Sequence, residues 1–158
     1  MDFKKLANQY RDELLDNVLP FWLEHSQDIE FGGYFSCLDR EGKVFDTDKF
    51  IWLQGREVWM FSMLYNKVEK RQEWLDCAVQ GGEFLKKYGH DGNYNWYFSL
   101  DRSGRPLVEP YNIFSYTFAT MAFGQLSLAT GSQEYADIAK KTFEIILSKV
   151  SNPKGKWN

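Results

Sequence analysis

The sequence predicts an all-α protein in which about five helices, joined by small β-hairpin loops, stack as helical hairpins. Two observations lead to this prediction. Apolar residues recur at the three- and four-residue steps of helices along most of the chain. A motif in one long loop, beginning at Leu38, returns 62 residues later at Leu100. Hairpins of this kind stack as an open solenoid or close into a ring.

Three of the predicted helices are amphipathic, with apolar residues on one face and charged residues on the other. They cover residues 3–25, 73–88 and 134–150. Helices of this kind lie with one face on a core and the other in water. Gly131, which precedes the last of them, is typical of the residue that follows a helix C-terminus.

The two other predicted helices are apolar almost all round. One covers residues 50–65 and carries only two charges, Arg56 and Glu57, and the other covers residues 111–129 and carries none. The second is long enough to raise the question of a membrane span, but its polar residues and amphipathic neighbours favour a helix buried within protein. We therefore expect an outer layer half in water and an inner layer of enclosed helices.

The repeated loop motif predicts a β-hairpin. It reads Leu-Asp-Arg-Glu-Gly-Lys over residues 38–43 and Leu-Asp-Arg-Ser-Gly-Arg over residues 100–105. Asp and Gly are typical of tight turns. Asp39 and Asp101 also suggest the carboxylate pair of a glycoside hydrolase. Their equivalent positions in a repeat favour a role in the turns instead.

Composition narrows the class of protein. The net charge of −3 argues against a nucleic-acid-binding protein and against a polybasic membrane binder. Cys37 and Cys77 form no CxxC pair, which favours reduced, intracellular thiols. Aromatic residues make up 18% of the chain, and they indicate either a bulky helical core or a carbohydrate site lined with flat rings.

Several segments together resemble one family. The N-terminal region of N-acylglucosamine 2-epimerases is similar to Phe-Trp-Leu-Glu-His-Ser over residues 21–26, Gly-Gly-Tyr-Phe over residues 32–35, and Ile-Trp-Leu-Gln-Gly-Arg over residues 51–56. The resemblance extends over nearly the whole chain. It implies an (α/α)6 toroid of helical hairpins, of which residues 1–158 form the N-terminal portion of a single domain that is incomplete here. It also implies a cytoplasmic homodimer, with ATP as an activator that is not consumed.

The resemblance implies a sugar 2-epimerase that interconverts N-acetylglucosamine and N-acetylmannosamine. Inversion at C2 removes a proton beside the carbonyl of the open-chain sugar and returns it from the other face, which suits two groups of near-neutral pKa. In the family these are two histidines of the C-terminal half. Neither His25, at a predicted helix end, nor His90, in a predicted turn, matches them. We expect this chain to lack its own acid–base pair.

The candidate substrate-binding residues are centred on Arg56. An arginine on an apolar helix must be paired or face a polar cavity. Arg56 therefore either forms an ion pair in the core or, as the resemblance implies, lies in the substrate pocket. There the two-pronged guanidinium group would hold the O1/O2 edge of the sugar. Trp52 and Trp59, four and three residues away, share its helix face and either stack on the sugar or pack in the core.

Weaker candidates lie further along the chain. Ser115 and Tyr116 fall where related branches of the family place a substrate-contacting residue. Lys154-Gly155-Lys156 suggests a phosphate site, although it lacks the full GxxxxGK[ST] pattern. The sequence contains no recognisable metal-binding constellation, and the chemistry requires no cofactor.

Two alternatives stay open. The chain stops where a third long loop should lead into another inner helix, so it could be a non-catalytic binding or interaction fragment that covers its apolar surface by association. The same scaffold also serves cellobiose 2-epimerases and aldose–ketose isomerases, whose substrates are different free sugars.

Overall fold

The computed structural model describes residues 1–110 and 112–152, and they form five helical segments. The first runs without a break through α1 (Phe3–Glu13), a π-helical stretch (Leu14–Val18) and α2 (Leu19–His25). The other four are α3 (Ile51–Lys67), α4 (Gln72–Tyr88), α5 (Phe114–Thr130) and α6 (Gln133–Ser148). The predicted number and order of helices are confirmed.

The loops between outer and inner helices contain short antiparallel strands. The first holds β1 (Cys37–Leu38) and β2 (Val44–Asp46), which pair with each other. The second holds β4 (Ser99–Leu100) and β5 (Pro106–Val108). A further strand, β3 (Lys49–Phe50), pairs with β4 and leads directly into α3. The predicted hairpins are confirmed, and β3 connects the two copies of the repeat.

The two copies of the hairpin motif make the same turn. In the first, Asp39 Oδ1 accepts hydrogen bonds from the backbone N–H groups of Glu41 and Lys43. In the second, Asp101 Oδ1 accepts them from Ser103 and Arg105. Gly42 and Gly104 follow with φ of 82° and 92°, where a side chain is unfavourable. The interpretation of both aspartates as turn residues is confirmed.

The helices pack in two layers. The inner helices α3 and α5 lie side by side, while α4 covers α3 and α6 covers α5. Gly55 allows the inner pair to approach closely, since a Cβ at this position would lie 3.0 Å from the carbonyl carbon and oxygen of Phe118. Gly131, with φ of 73°, ends α5 as predicted. In the described part of the chain, no helix is long and apolar enough to cross a membrane.

One expectation about the inner helices is wrong. They are not enclosed on all sides, because α5 leaves Phe114, Met121 and Leu128 exposed at seven-residue intervals. No described element covers this face. The start of α5 also differs from the prediction, because the helix begins at Phe114, whose N–H donates to Asn112 Oδ1.

A buried ionic network joins the loops of the two repeats. Lys49 Nζ donates to Asp28 Oδ2 at 2.9 Å and to the carbonyl of Arg102 at 2.9 Å. The guanidinium of Arg102 binds both oxygens of Asp28, at 2.9 and 3.1 Å. Although burial opposes ionisation, these hydrogen bonds hold the pKa of Asp28 below its ordinary value. The sequence analysis did not predict this network.

Candidate active-site cleft beside helix α3

A cleft of about 450 Å³ lies along the uncovered side of α3. It is within the size range of small-molecule sites. Trp52, Arg56 and Trp59, the three residues predicted to share one face of this helix, all line it. The remaining lining residues are Trp22, Ser36, Leu53, Glu57 and Met60. The structure therefore brings together three of the five predicted site residues and adds residues that the sequence analysis did not single out.

Arg56 is exposed in the cleft. Within the described residues it takes part in no ion pair, so the core ion pair considered from the sequence is not observed. Its guanidinium carbon lies 5.9 Å from the centre of the Phe118 ring, a cation–π distance. The charged group is thus free to bind an oxygen-rich ligand.

The tryptophans give the cleft flat apolar walls. Trp52 and Trp59 are half-buried and stand one helical turn to either side of Arg56. The Trp52 indole also contacts Phe118 of α5, with ring centres 6.0 Å apart. Walls of this kind fit the apolar face of a sugar ring. Whether either indole stacks on a substrate stays a prediction.

The Glu57 carboxyl lies on the same side of the helix, and its pKa is raised. The Ser26 hydroxyl, just after α2, has two possible acceptors: the Glu57 carboxyl and the carbonyl oxygen of Trp22, which is 2.6 Å away. A serine hydroxyl has one proton, so it donates to one of these two oxygens at a time. Burial raises the pKa of Glu57 to about 8, which agrees with a protonated carboxyl at neutral pH.

Ser36 also lines the cleft. Its Oγ is buried and has no hydrogen-bond partner in the described part of the chain. The loop that carries it is anchored two residues earlier, where Tyr34 exchanges two hydrogen bonds of 2.8 Å with the Gln54 side chain of α3. Glu57 could have been found from the sequence, because a carboxylate in an otherwise apolar helix is unusual. For Ser36, nothing in the local sequence indicated the cleft.

Ser115 and Tyr116 do not line this cleft. Both are buried at the start of α5. The Tyr116 hydroxyl accepts a hydrogen bond from Lys149 Nζ at 2.7 Å and lies 3.3 Å from Asn95 Oδ1. Their part in substrate binding stays a prediction.

The two histidines lie in structural positions. His25 is the last residue of α2, and its ring packs on Phe21 and against Gly42. His90 follows α4, stacks on Tyr94 and accepts a hydrogen bond from the Gly92 N–H at 3.0 Å.

Residues 154–156, the weak candidate for a phosphate site, lie outside the described residues. The described residues include no group of three or more His, Cys, Asp or Glu side chains that could hold a metal.

The paired helical hairpins with β-hairpin loops define an all-α toroid-type protein, and sequence comparison identifies its family. The chain belongs to the N-acylglucosamine 2-epimerase family, whose sequence model matches residues 33–157. It is 44% identical to the N-acylglucosamine 2-epimerases of Mus musculus and Bos taurus, over 86% and 89% of this chain. It is 29% identical to a cellobiose 2-epimerase of Dictyoglomus turgidum. The chain spans about a third of the mouse and bovine proteins, 33% and 35%.

Solved structures confirm the fold class. The cellobiose 2-epimerase of Bacillus thermoamylovorans B4167, an (α/α)6 toroid, superposes with a TM-score of 0.83 at 29% identity, over 92% of this chain and 37% of that one. A sugar epimerase from a ruminal bacterium gives the same score at 28% identity, over 91% and 37%. A D-mannose isomerase, at 21% identity and a TM-score of 0.73 over 84% of this chain and 33% of that one, shares the fold.

Proposed function

We propose that this chain supplies one wall of the substrate site of an N-acylglucosamine 2-epimerase, which interconverts N-acetylglucosamine and N-acetylmannosamine. One observation carries the proposal: Arg56, which makes no ion pair with any described residue, stands between two indoles in a cleft of sugar size. The 44% identity to mammalian N-acylglucosamine 2-epimerases favours N-acyl sugars among the substrates of the family.

In this proposal Arg56 holds the O1/O2 edge of the open-chain sugar. Removal of the C2 proton moves negative charge onto the carbonyl oxygen, and a fixed guanidinium fork stabilises that charge as it develops. Lysine would be a poor replacement, because it is a point charge without the fork. The Trp52 and Trp59 indoles exclude water from the same face, which strengthens the electrostatic interaction.

The acid–base pair lies outside this chain in the proposal. His25 and His90 are both held in structural contacts and neither lines the cleft. Residues beyond the matched third of the family would therefore take the proton at C2 and return it. Homodimer formation, activation by ATP and a cytoplasmic location belong to the same proposal, because they follow from the resemblance alone.

The test follows the C2 proton of N-acetylmannosamine by NMR in D₂O with ATP. We expect no exchange with the 158-residue chain, and exchange with a chimera in which this chain replaces the corresponding third of the mouse protein. Arg56→Ala in the chimera should lower the rate at least tenfold, about the loss of one charged contact in the transition state. Exchange by the chain alone, or an unchanged rate in Arg56→Ala, would contradict the proposal.

Cellobiose is the second candidate substrate. The solved structures that superpose at a TM-score of 0.83 include cellobiose 2-epimerases. A panel of N-acetylmannosamine, cellobiose and mannose offered to the chimera separates the candidates by rate.

Association of the chain through the exposed α5 residues Phe114, Met121 and Leu128, as expected for an interaction fragment, would appear as a dimer in sedimentation.

A further inference from the structure

A sugar that reacts in its open-chain form must first be opened, because an N-acylated hexose in water is almost entirely a closed ring. Opening breaks the bond between C1 and the ring oxygen O5, and O5 leaves readily only when it receives a proton. Arg56, at the O1/O2 edge, supplies no proton, since a guanidinium stays charged in proteins. Ring opening in the cleft therefore needs a second group that acts as an acid.

Glu57 has the one carboxyl group among the described residues that line the cleft. Its side chain is half-buried and lines the cleft together with that of Arg56. The two residues are consecutive in α3, so their Cα atoms are about 3.8 Å apart. Their side chains can thus reach neighbouring points of one bound sugar. O1 and O5 are such points, because both are bonded to C1.

One oxygen of the Glu57 carboxyl is held, and the other is accessible. Oε1 is an acceptor for the Ser26 hydroxyl, whereas Oε2 makes no hydrogen bond with a described residue. Oε2 is also not one of the four side-chain oxygens of the described residues that are enclosed without a partner. When Ser26 donates to Oε1, the proton of a neutral carboxyl lies on Oε2. The carboxyl can therefore present its proton to a ligand.

The surroundings keep this proton on the carboxyl near neutral pH. Burial raises the pKa of Glu57 to about 8, although the hydrogen bond from Ser26 acts in the opposite direction. The charged or titratable groups around it are Arg56 in the same helix, Tyr34 in the preceding loop and Cys77 in α4. Tyr34 and Cys77 are neutral, because burial raises the pKa of both. An acid whose pKa is close to the working pH is protonated and also able to release its proton.

We infer that Glu57 is a catalytic acid that opens the sugar ring, which gives this chain a mutarotase activity of its own. The Glu57 carboxyl donates its proton to O5 as the C1–O5 bond breaks and O5 keeps the electron pair of that bond. The proton of the O1 hydroxyl passes to a water molecule, and the electron pair left behind completes the C1 carbonyl, while Arg56 stabilises O1. Closure on the other face of C1 reverses these steps and returns both protons.

The net result is exchange of the α and β anomers, in which nothing is consumed and C2 is not touched. The inference rests on the proposed function, because it requires the sugar to bind in this cleft. It adds an activity that needs no residue from outside the chain.

The test dissolves N-acetylglucosamine from its crystalline α anomer in dilute buffer and follows the approach to anomeric equilibrium by polarimetry. We expect the 158-residue chain to accelerate this exchange over the spontaneous rate. Glu57→Gln should lower the protein-catalysed rate about 100-fold, the lower end of the contribution of a general acid. Because glutamine is neutral and can still accept from Ser26, circular dichroism should show an unchanged fold. Glu144→Gln, at an exposed carboxyl of α6 outside the cleft, is the matched control and should keep the parent rate.

The pH profile distinguishes an acid from a base. Glu57 acts as an acid only while it is protonated, so the protein-catalysed rate should be constant from about pH 5 to 7 and fall as pH rises through 8. A protein-catalysed rate that instead rises with pH across this range would show that an ionised carboxylate acts as a base, and it would overturn the inference.

Binding of N-acetylglucosamine, measured by saturation-transfer NMR, separates this inference from the proposed function. A parent chain that binds the sugar without accelerating anomer exchange overturns the inference and leaves the sugar-binding role of Arg56 intact. A Glu57→Gln variant that keeps the parent rate has the same consequence. A folded chain that binds no N-acetylglucosamine overturns both.

Discussion

Lys49 and Asp28 form an ion pair of 2.9 Å in which neither side chain has any solvent-exposed surface. The pair lies where β3 enters α3, and Arg102 joins it from the second hairpin. Burial lowers the pKa of Lys49, and the hydrogen bond and charge of Asp28 oppose this effect. The network therefore fixes the loops that begin the inner helix of the cleft.

Loss of the Lys49 charge should destabilise the protein strongly. Lys49→Met leaves Asp28 buried with Arg102 as its remaining cationic partner, and we expect a loss of about 3 kcal/mol in the free energy of unfolding. Urea denaturation followed by circular dichroism measures it. Lys43→Met, at an exposed lysine of the first hairpin, should change stability by less than about 0.5 kcal/mol. Similar losses in the free energy of unfolding of the two variants would show that the buried ion pair contributes no more to stability than an exposed lysine.

The close contact of the inner helices at Gly55 gives a second prediction. Gly55→Ala places a methyl group 3.0 Å from backbone atoms of Phe118, so α3 and α5 must separate. We expect a loss of about 1–3 kcal/mol. Gly124→Ala in α5 meets nothing within 4 Å and should stabilise the helix by up to about 1 kcal/mol. Thermal unfolding of the two variants checks the opposite signs, and a stabilising Gly55→Ala would contradict the packing described.

The neutral Glu57 gives a prediction for pH. Its pKa is about 8 in the folded protein against an ordinary value of 4.5, so the folded state binds the proton more tightly. The contribution to stability is complete below about pH 4.5 and is lost as pH rises to 8, at up to about 1.4 kcal/mol per unit. Glu57→Gln should remove this loss.

Urea midpoints of the parent and Glu57→Gln at half-unit steps from pH 5 to 9 test this sign. His90 titrates in the same window with the opposite effect, because burial lowers its pKa in the folded state. It is present in both proteins, so the difference between the two curves isolates Glu57. A constant difference across the window would mean that the carboxyl is ionised in the folded chain.

Arg56 should matter for function and not for stability. Its side chain is exposed and, within the described residues, makes no ion pair, so Arg56→Ala should change the free energy of unfolding by less than about 0.5 kcal/mol. Chemical denaturation of the purified chain measures this directly. A loss of several kcal/mol would indicate that the guanidinium stabilises the fold through a contact not described above.

Local sequence patterns were sufficient for the helices and the hairpins. Helical periodicity and the Asp–Gly turns act over a few residues, and the structure confirms both. The shared face of Trp52, Arg56 and Trp59 also follows from helix geometry alone. The expectation that α5 is enclosed on all sides was wrong for a different reason. Apolar composition indicates that a helix can be buried, but it does not indicate which of its faces other elements cover.

The polar part of the cleft depended on contacts between distant residues. Ser26 and Glu57 are 31 positions apart, and Asp28 and Arg102 are 74 apart, so no local pattern brings them together. Periodicity and turn chemistry established the helical framework and the face that carries Arg56, and the motifs around residues 21–26, 32–35 and 51–56 carried the resemblance to the family. Packing alone decided that the pKa of Glu57 is raised, that Lys49 is buried and that Ser36 Oγ has no hydrogen-bond partner among the described residues, because protonation and hydrogen bonding depend on the surroundings that the folded chain creates.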